Sequence, residues 1–351
     1  MTEDITDTII RSKDETVRID HKQMAGGDSS PYGPVDEYAH IAGPEAGFNV
    51  FHPTAGRPVT TTDGYIGDGF DGVYAIAHDP DNDRMFAGGA DGIIREYPDS
   101  PDALQSFPVS QSTDPSKAEA RSIAYDPTND NVVGIVKDTD TSDPELWSWN
   151  AGDLSKNWED TNLGTFQRAT CDVASDGTIF VADEVDTIYK YDSSGTQQDT
   201  LTISDTPSSV VVLTDGTIAV GVDEGSIRRY DTSLTEQWST SVGLSKVWGV
   251  DALPDGWVAA AGEFRVLVLD NAGTVQWERS SERPYGIIGA TPDDRVYVVY
   301  SNGSNAGDVV FVFDAADGSF VYTHRLPLNL AIRSAGRTVV APRAGPFSDR
   351  Y

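Results

Sequence analysis

The sequence predicts an all-β fold built from repeated four-stranded units, and three observations predict it. One phrase is written twice: SDGTIFVADEVDTIYKYDSSGT from Ser175 and TDGTIAVGVDEGSIRRYDTSLT from Thr214, with the Asp-Gly pair recurring 39 residues on, at Asp176 and Asp215. Each Asp-Gly lies between short runs of β-branched and aromatic residues, the signal for a tight hairpin. Each copy then reaches a second hairpin and closes on an aromatic-Asp pair, Tyr191-Asp192 or Tyr230-Asp231. A unit of four short strands recurring roughly every 40 residues is the layout of a propeller blade.

Taken in order, residues 1–45 stand outside the repeat. Glu15–His21 alternates as a strand does, and the Gly- and Pro-rich run from Met24 to Gly47 reads as an extended linker. This arm has no core of its own. It is expected to act as an assembly tether, adding its strand to a sheet of another protein subunit.

The repeat opens mid-unit at Phe48–Thr62, which resembles the second half of a later unit, Val266–Trp277. Complete units follow at about Gly72–Ser112, Glu119–Leu163, Phe166–Ser204, Pro207–Leu244, Val247–Ser281 and Pro284–Leu326. The last half-unit, Leu328–Arg343, supplies two strands around Ser334–Gly336. The expected fold is therefore a seven-bladed β-propeller over residues 46–351. Its last blade joins C-terminal inner strands to N-terminal outer strands, which removes the open edges of the array.

These phrases resemble the broad β-propeller superfamily, and most of all its NHL-type and quinoprotein-like repeats. The late Trp in DTSLTEQW and DNAGTVQW is similar to the docking Trp of quinoprotein-like blades. The Gly-His and Trp-Asp pairs of WD repeats are absent, and the Ala-x-Asp…Thr-Gly pattern of true quinoproteins is incomplete. The resemblance implies the fold and carries over no catalysis.

Charge excludes several classes of partner. The chain has 56 Asp+Glu against 25 Lys+Arg, a net of −31, and only seven of the basic residues are Lys. Scattered acid with scarce Lys resembles the surface of a protein from a salt-loving organism, where screening limits self-repulsion; the alternative is an ordinary acidic protein. No nucleic acid is expected as partner, because phosphate neutralisation needs clustered Lys and Arg. No stretch approaches the roughly 18 apolar residues of a membrane span, and MTEDITDTII is not a signal peptide. The expected location is a virion or the cytoplasm.

Candidate chemistry is sparse. Asp79, Asp81 and Asp83 alternate as in a calcium loop, but Arg84 stands where the loop needs Gly and Ala90 where it needs Glu, so a hairpin turn is expected. The five His show no zinc spacing, and Cys171 reads as a small core residue. Asp172 and Asp251 are the notable inner-strand acids, read as solvated or hydrogen-bonded rather than metal-binding. Asn302-Gly303-Ser304 is a short sequon match. No nucleophile elbow, phosphate loop or dinucleotide fingerprint is present. No cofactor is expected.

The informative feature is a column. Just before each inner strand lies a position that should ring one mouth of the channel: Tyr74, Arg121, Arg168 (or Ala169, by a one-residue slip), Ser208, Trp248, Tyr285 and Asn329. Aromatics and Arg are enriched at binding hot spots, and two Arg would make a local positive spot. The expected function is a non-catalytic structural and interaction protein. The setting that suits it is a virion component of a halophilic archaeal virus, its propeller displayed toward a host-surface protein or glycan. The alternatives are a cytoplasmic scaffold, or a propeller enzyme such as a lactonase-like hydrolase, a lyase or a quinone-dependent dehydrogenase.

Overall fold

Period-2 alternation and Asp-Gly turns make hairpins wherever they recur, and the computed structural model consists of such hairpins. It describes residues 73–98 and 110–325 apart from short gaps, and the strands at 8–11, 16–19, 37–43, 47–51, 58–60 and 338–342. Strands β1 (Thr8–Arg11) and β2 (Thr16–Ile19) pair with each other as a separate antiparallel hairpin. Next come β3 (Glu37–Gly43), β4 (Gly47–Phe51) and β5 (Pro58–Thr60).

Six consecutive four-stranded meanders follow. Sheet 1 is β6 (Val73–Asp79), β7 (Arg84–Gly89), β8 (Ile94–Pro98) and β9 (Ser110–Gln111). Sheet 2 is β10 (Lys117–Asp126), β11 (Asn131–Asp138), β12 (Pro144–Asn150) and β13 (Lys156–Asp160). Sheet 3 is β14 (Ala169–Val173), β15 (Ile179–Asp183), β16 (Thr187–Tyr191) and β17 (Gln197–Thr202). Sheet 4 is β18 (Pro207–Val212), β19 (Ile218–Val222), β20 (Ser226–Tyr230) and β21 (Glu236–Ser241). Sheet 5 is β22 (Val247–Ala252), β23 (Val258–Gly262), β24 (Arg265–Leu269) and β25 (Val275–Ser280). Sheet 6 is β26 (Ile287–Ala290), β27 (Arg295–Tyr300), β28 (Val309–Asp314) and β29 (Phe320–Arg325).

The last strand, β30 (Thr338–Pro342), pairs with β3, giving a further four-stranded sheet in the order β30-β3-β4-β5. The innermost strands lie side by side in chain order, and β30 touches both β26 and β6. The expected division into two C-terminal and two N-terminal strands is corrected here: one strand comes from the C-terminal side and three from the N-terminal side. Glu37–Gly43, within the expected arm of residues 1–45, belongs to this sheet. Glu37–Gly43 escapes a composition reading because Pro and Gly flank it, while its pairing to Thr338–Pro342 is made by backbone groups. The remainder of the expected C-terminal pair, Leu328–Ile332, lies outside the described residues. In the arm, the described partner of Thr16–Ile19 is β1 of the same chain.

The core lies between sheets. The second strands β15, β19 and β23 are buried at every position, so they carry apolar side chains on both faces. The outermost strands β17, β21 and β25 are almost wholly exposed and polar. Each buried cluster fills one seam. Phe86 and Ile94 meet Trp147 and Trp149 between sheets 1 and 2, and Val211 and Ile227 meet Val258 and Leu267 between sheets 4 and 5.

Neighbouring inner strands are joined through side chains. Ser122 Oγ accepts from Cys171 N at 3.0 Å, Thr170 Oγ1 from Val210 N at 3.1 Å and Ser209 Oγ from Val250 N at 3.1 Å. The hydroxyls thus satisfy amides that no neighbouring strand of the same sheet pairs.

The outer seams follow a two-way rule. Trp158 on β13, Trp238 on β21 and Trp277 on β25 each donate an indole N–H to the outer turn of the next sheet: Ser193 O at 3.0 Å, Asn271 O at 2.9 Å and Ala315 O at 2.6 Å. Each ring lies on a glycine of that turn. A Cβ on Gly195, Gly273 or Gly318 would stand 2.5–2.7 Å from the indole, and all three have positive φ. The docking expected of Trp238 and Trp277 is therefore present.

Sheet 3 has no such Trp: Asp199 pairs with Lys190 where Trp238 pairs with Arg229. Its receiving turn carries Leu234 in place of glycine, at φ 57° and buried against Phe180 and Ile218. Lys190 Nζ then reaches the equivalent carbonyl, Thr232 O, at 2.6 Å. The seam between sheets 1 and 2 repeats this solution with Leu154, at φ 55°, and with Arg84 donating to Ala151 O at 2.8 Å. Where no indole covers the turn, a leucine occupies the left-handed position, and its burial offsets the conformational cost.

Candidate functional site

Four positions of the expected mouth column are β-bulges. The inner-strand register shifts between Val73 and Ala75, Ala120 and Ser122, Pro207 and Ser209, and Val247 and Gly249. The skipped residues are Tyr74, Arg121, Ser208 and Trp248. A bulge leaves one residue out of the ladder and re-aims its side chain, so these four positions are structurally equivalent.

Sheet 3 pairs without a shift from Ala169 onward. Thr170 makes the interstrand bond that Ser122 and Ser209 make, so the equivalent place belongs to Ala169. Arg168 is one residue earlier and lies outside the described residues, as do Tyr285 and Asn329. Only the backbone of Tyr74 is described.

The side chains of the column differ in what they can still do. Arg121 forms a close ion pair with Glu119, so its charge is matched in place. With alanine in sheet 3 at the equivalent position, the described mouth carries no cluster of unmatched positive charge. Ser208 donates to Val247 O at 2.5 Å and Gly221 O at 3.0 Å, which commits its hydroxyl to the seam between sheets 4 and 5.

Trp248 is partly exposed, and its buried Nε1 has no hydrogen-bond partner. Lys246 Nζ stands 5.0 Å from the centre of the Trp248 ring and 2.7 Å from Asp223 Oδ2. Asp223 Oδ1 is likewise buried without a partner. These two residues flank the same seam: Asp223 follows β19 and Lys246 precedes β22. Sequence reasoning found Trp248 and missed Asp223 and Lys246, whose only signal is their place at strand ends.

The other acids are structural. Asp172 Oδ2 accepts from Val212 N at 2.8 Å, and Asp251 Oδ1 accepts from Ala252 N at 2.9 Å. They sit on β14 and β22, with β18 between them. Asp79 is fully buried and accepts from Asn82 Nδ2 at 2.9 Å and Arg84 Nε at 2.7 Å. Burial works against its charge, but the Asn82 and Arg84 hydrogen bonds and the Arg84 charge outweigh it and hold its carboxyl below 3.8. The same turn recurs at Asp126, which accepts from Thr128 N and Asn129 Nδ2. Asp79 thus anchors a hairpin turn; the side chains of Asp81 and Asp83 lie outside the described residues. Cys171 is buried in the seam between sheets 2 and 3. Among the described residues no three His, Cys, Asp or Glu gather as metal ligands, and no helix is long and apolar enough to cross a membrane.

Comparison with known proteins bears on the fold. The β-propeller domain of Cps50 (Swd1) from Myceliophteria thermophila superposes with a TM-score of 0.60, at 9% identity, over 73% of this chain and 87% of that one. The fold is a β-propeller. At that identity the likeness speaks to the fold alone. The family model described as outer membrane protein assembly factor BamB matches residues 223–345, which begin at the end of β19 and include all of sheets 5 and 6. No curated protein matches the chain significantly. The bulge positions lie at one end of the inner strands.

Proposed function

We propose that this chain is a non-catalytic interaction platform, a seven-bladed propeller whose bulge-lined mouth docks a partner protein. The observation that carries this reading is the repeated bulge. In four described sheets the ladder skips one residue at the same end of the inner strand. The contacts of β30 with β26 and β6 support closure of the ring by the shared sheet. The partial match to BamB, described as an assembly factor, agrees with an interaction role.

In this reading the residues ahead of β3 are the tether, and the β1–β2 hairpin, which pairs with no other described strand, is its docking element. A net charge of −31 suits a salt-rich medium. The setting that unites tether, outward platform and acidic surface is a virion component of a halophilic archaeal virus.

Two measurements test this. Native mass in molar salt, compared between the full chain and one lacking residues 1–36, is expected to show an assembly for the first and a monomer for the second. Two monomers would remove the tether. The melting temperature is expected to rise steeply from low to molar KCl, because the salt screens like charges spread over the whole surface. A flat salt profile would remove the halophilic setting and leave the platform standing.

A further inference from the structure

We infer that the mouth-side corner between sheets 4 and 5 binds a backbone amide of an extended partner peptide, its carbonyl on Trp248 and its N–H on Asp223. This rests on the platform reading and names the ligand chemistry of one corner of it. The corner holds two buried polar atoms without partners, the donor Trp248 Nε1 and the acceptor Asp223 Oδ1. Folded proteins keep few such atoms, since each carries its full desolvation penalty. Here two of complementary type flank one lysine, which touches both residues.

The chemistry of the missing partner follows from the pair. A group that offers both an acceptor and a donor in a short span satisfies both atoms at once, and an amide does so. An anion is not called for: the Lys246 charge is already matched by Asp223 Oδ2, and Glu224 stands on a loop at the same end of sheet 4, where Asp205 is paired with Arg228. The partner segment is therefore uncharged or basic.

A sugar hydroxyl could also donate and accept, but sugars are gripped through a free aromatic face. The Lys246 ammonium stands 5.0 Å from the centre of the Trp248 ring, so one face is already occupied. Both side chains are partly exposed although the two atoms are covered. The small side-chain rotations usual at interfaces are enough to present them.

The probe is a phage-displayed library of short linear peptides, panned on the full chain in molar salt beside a panel of oligosaccharides. Recovered peptides are then resynthesised and titrated by calorimetry against the wild type, Trp248→Phe and Asp223→Asn. Trp248→Phe keeps the ring and loses the N–H; Asp223→Asn keeps the shape and loses one acceptor. Melting curves confirm that both variants are folded. The expected result is about tenfold weaker binding for each variant, the equivalent of one hydrogen bond. Peptides that bind both variants as tightly as the wild type overturn the site and leave the platform standing. Binding confined to oligosaccharides overturns the amide. A library that yields no binder overturns both the site and the peptide-docking platform.

Discussion

Trp277→Ala is expected to destabilise the fold by about 3–5 kcal/mol, the range for removing a buried aromatic. Trp277 is only 7% exposed and packs on Phe313 with ring centroids 6.1 Å apart. Its indole N–H also ties sheet 5 to Ala315 O of sheet 6. Truncation would lose the packing, leave that carbonyl short of a donor and open the seam beside Gly318. Trp277→Phe should recover part of the packing and none of the hydrogen bond. Gly318→Ala probes the other side of the contact, since its Cβ would stand 2.5 Å from the ring on a backbone at φ +66°. Equilibrium unfolding in denaturant at fixed high salt measures all three. A loss below about 1 kcal/mol for Trp277→Ala, well under the usual range, would mean that the indole is not what holds sheets 5 and 6 together.

Arg229→Ala is expected to cost about 2–4 kcal/mol, mainly through hydrogen bonds left unmade. The side chain is 6% exposed and its guanidinium spans two sheets. Nε donates to Thr217 Oγ1 at 2.9 Å, one terminal nitrogen to Asn271 O at 2.9 Å and Gly256 O at 3.3 Å, and the other to Asp215 Oδ2 at 2.5 Å. Asp215 is half-exposed, so the ion pair itself contributes modestly and the seam carbonyls carry most of the loss. Arg229→Lys should restore less than half, because an ammonium cannot reproduce the planar fork.

The same site has an acid signature. Burial raises the Asp215 carboxyl, but the Thr217 hydrogen bonds and Arg229 outweigh it and hold it below 3.8. A depressed folded value means stability that is present above 3.8 and lost as pH falls below it. Arg229→Ala should therefore lose less stability than the wild type over that acid window. An identical acid dependence would show that Arg229 does not act through Asp215.

Much of this molecule is legible in its sequence. The duplicated phrase around Asp176 and Asp215 implies four-stranded meanders, and Trp238 and Trp277 are recognisable as docking residues from DTSLTEQW and DNAGTVQW alone. Local rules suffice there, because a two-residue turn and period-2 alternation act between neighbours in the chain. The mouth column is legible as a list and ambiguous in register. A one-residue slip separates Arg168 from Ala169, and only the bond from Val210 N to Thr170 Oγ1 decides between them.

The rest belongs to contacts distant in the chain. Whether Glu37–Gly43 is linker or strand depends on Thr338–Pro342, about 300 residues away, since the backbone bonds between them leave no mark in composition. Leu154 and Leu234 read as ordinary turn residues until the neighbouring sheet is found to lack an indole. Asp223 and Lys246 look like any surface pair until Trp248 is placed beside them. The repeat, the turns and the alternation are interactions within a blade, so the local order of residues suffices to specify them. What fills each seam, and which polar atoms beside Trp248 remain unmet, depends on contacts between sheets, and these exist only once neighbouring sheets have packed together.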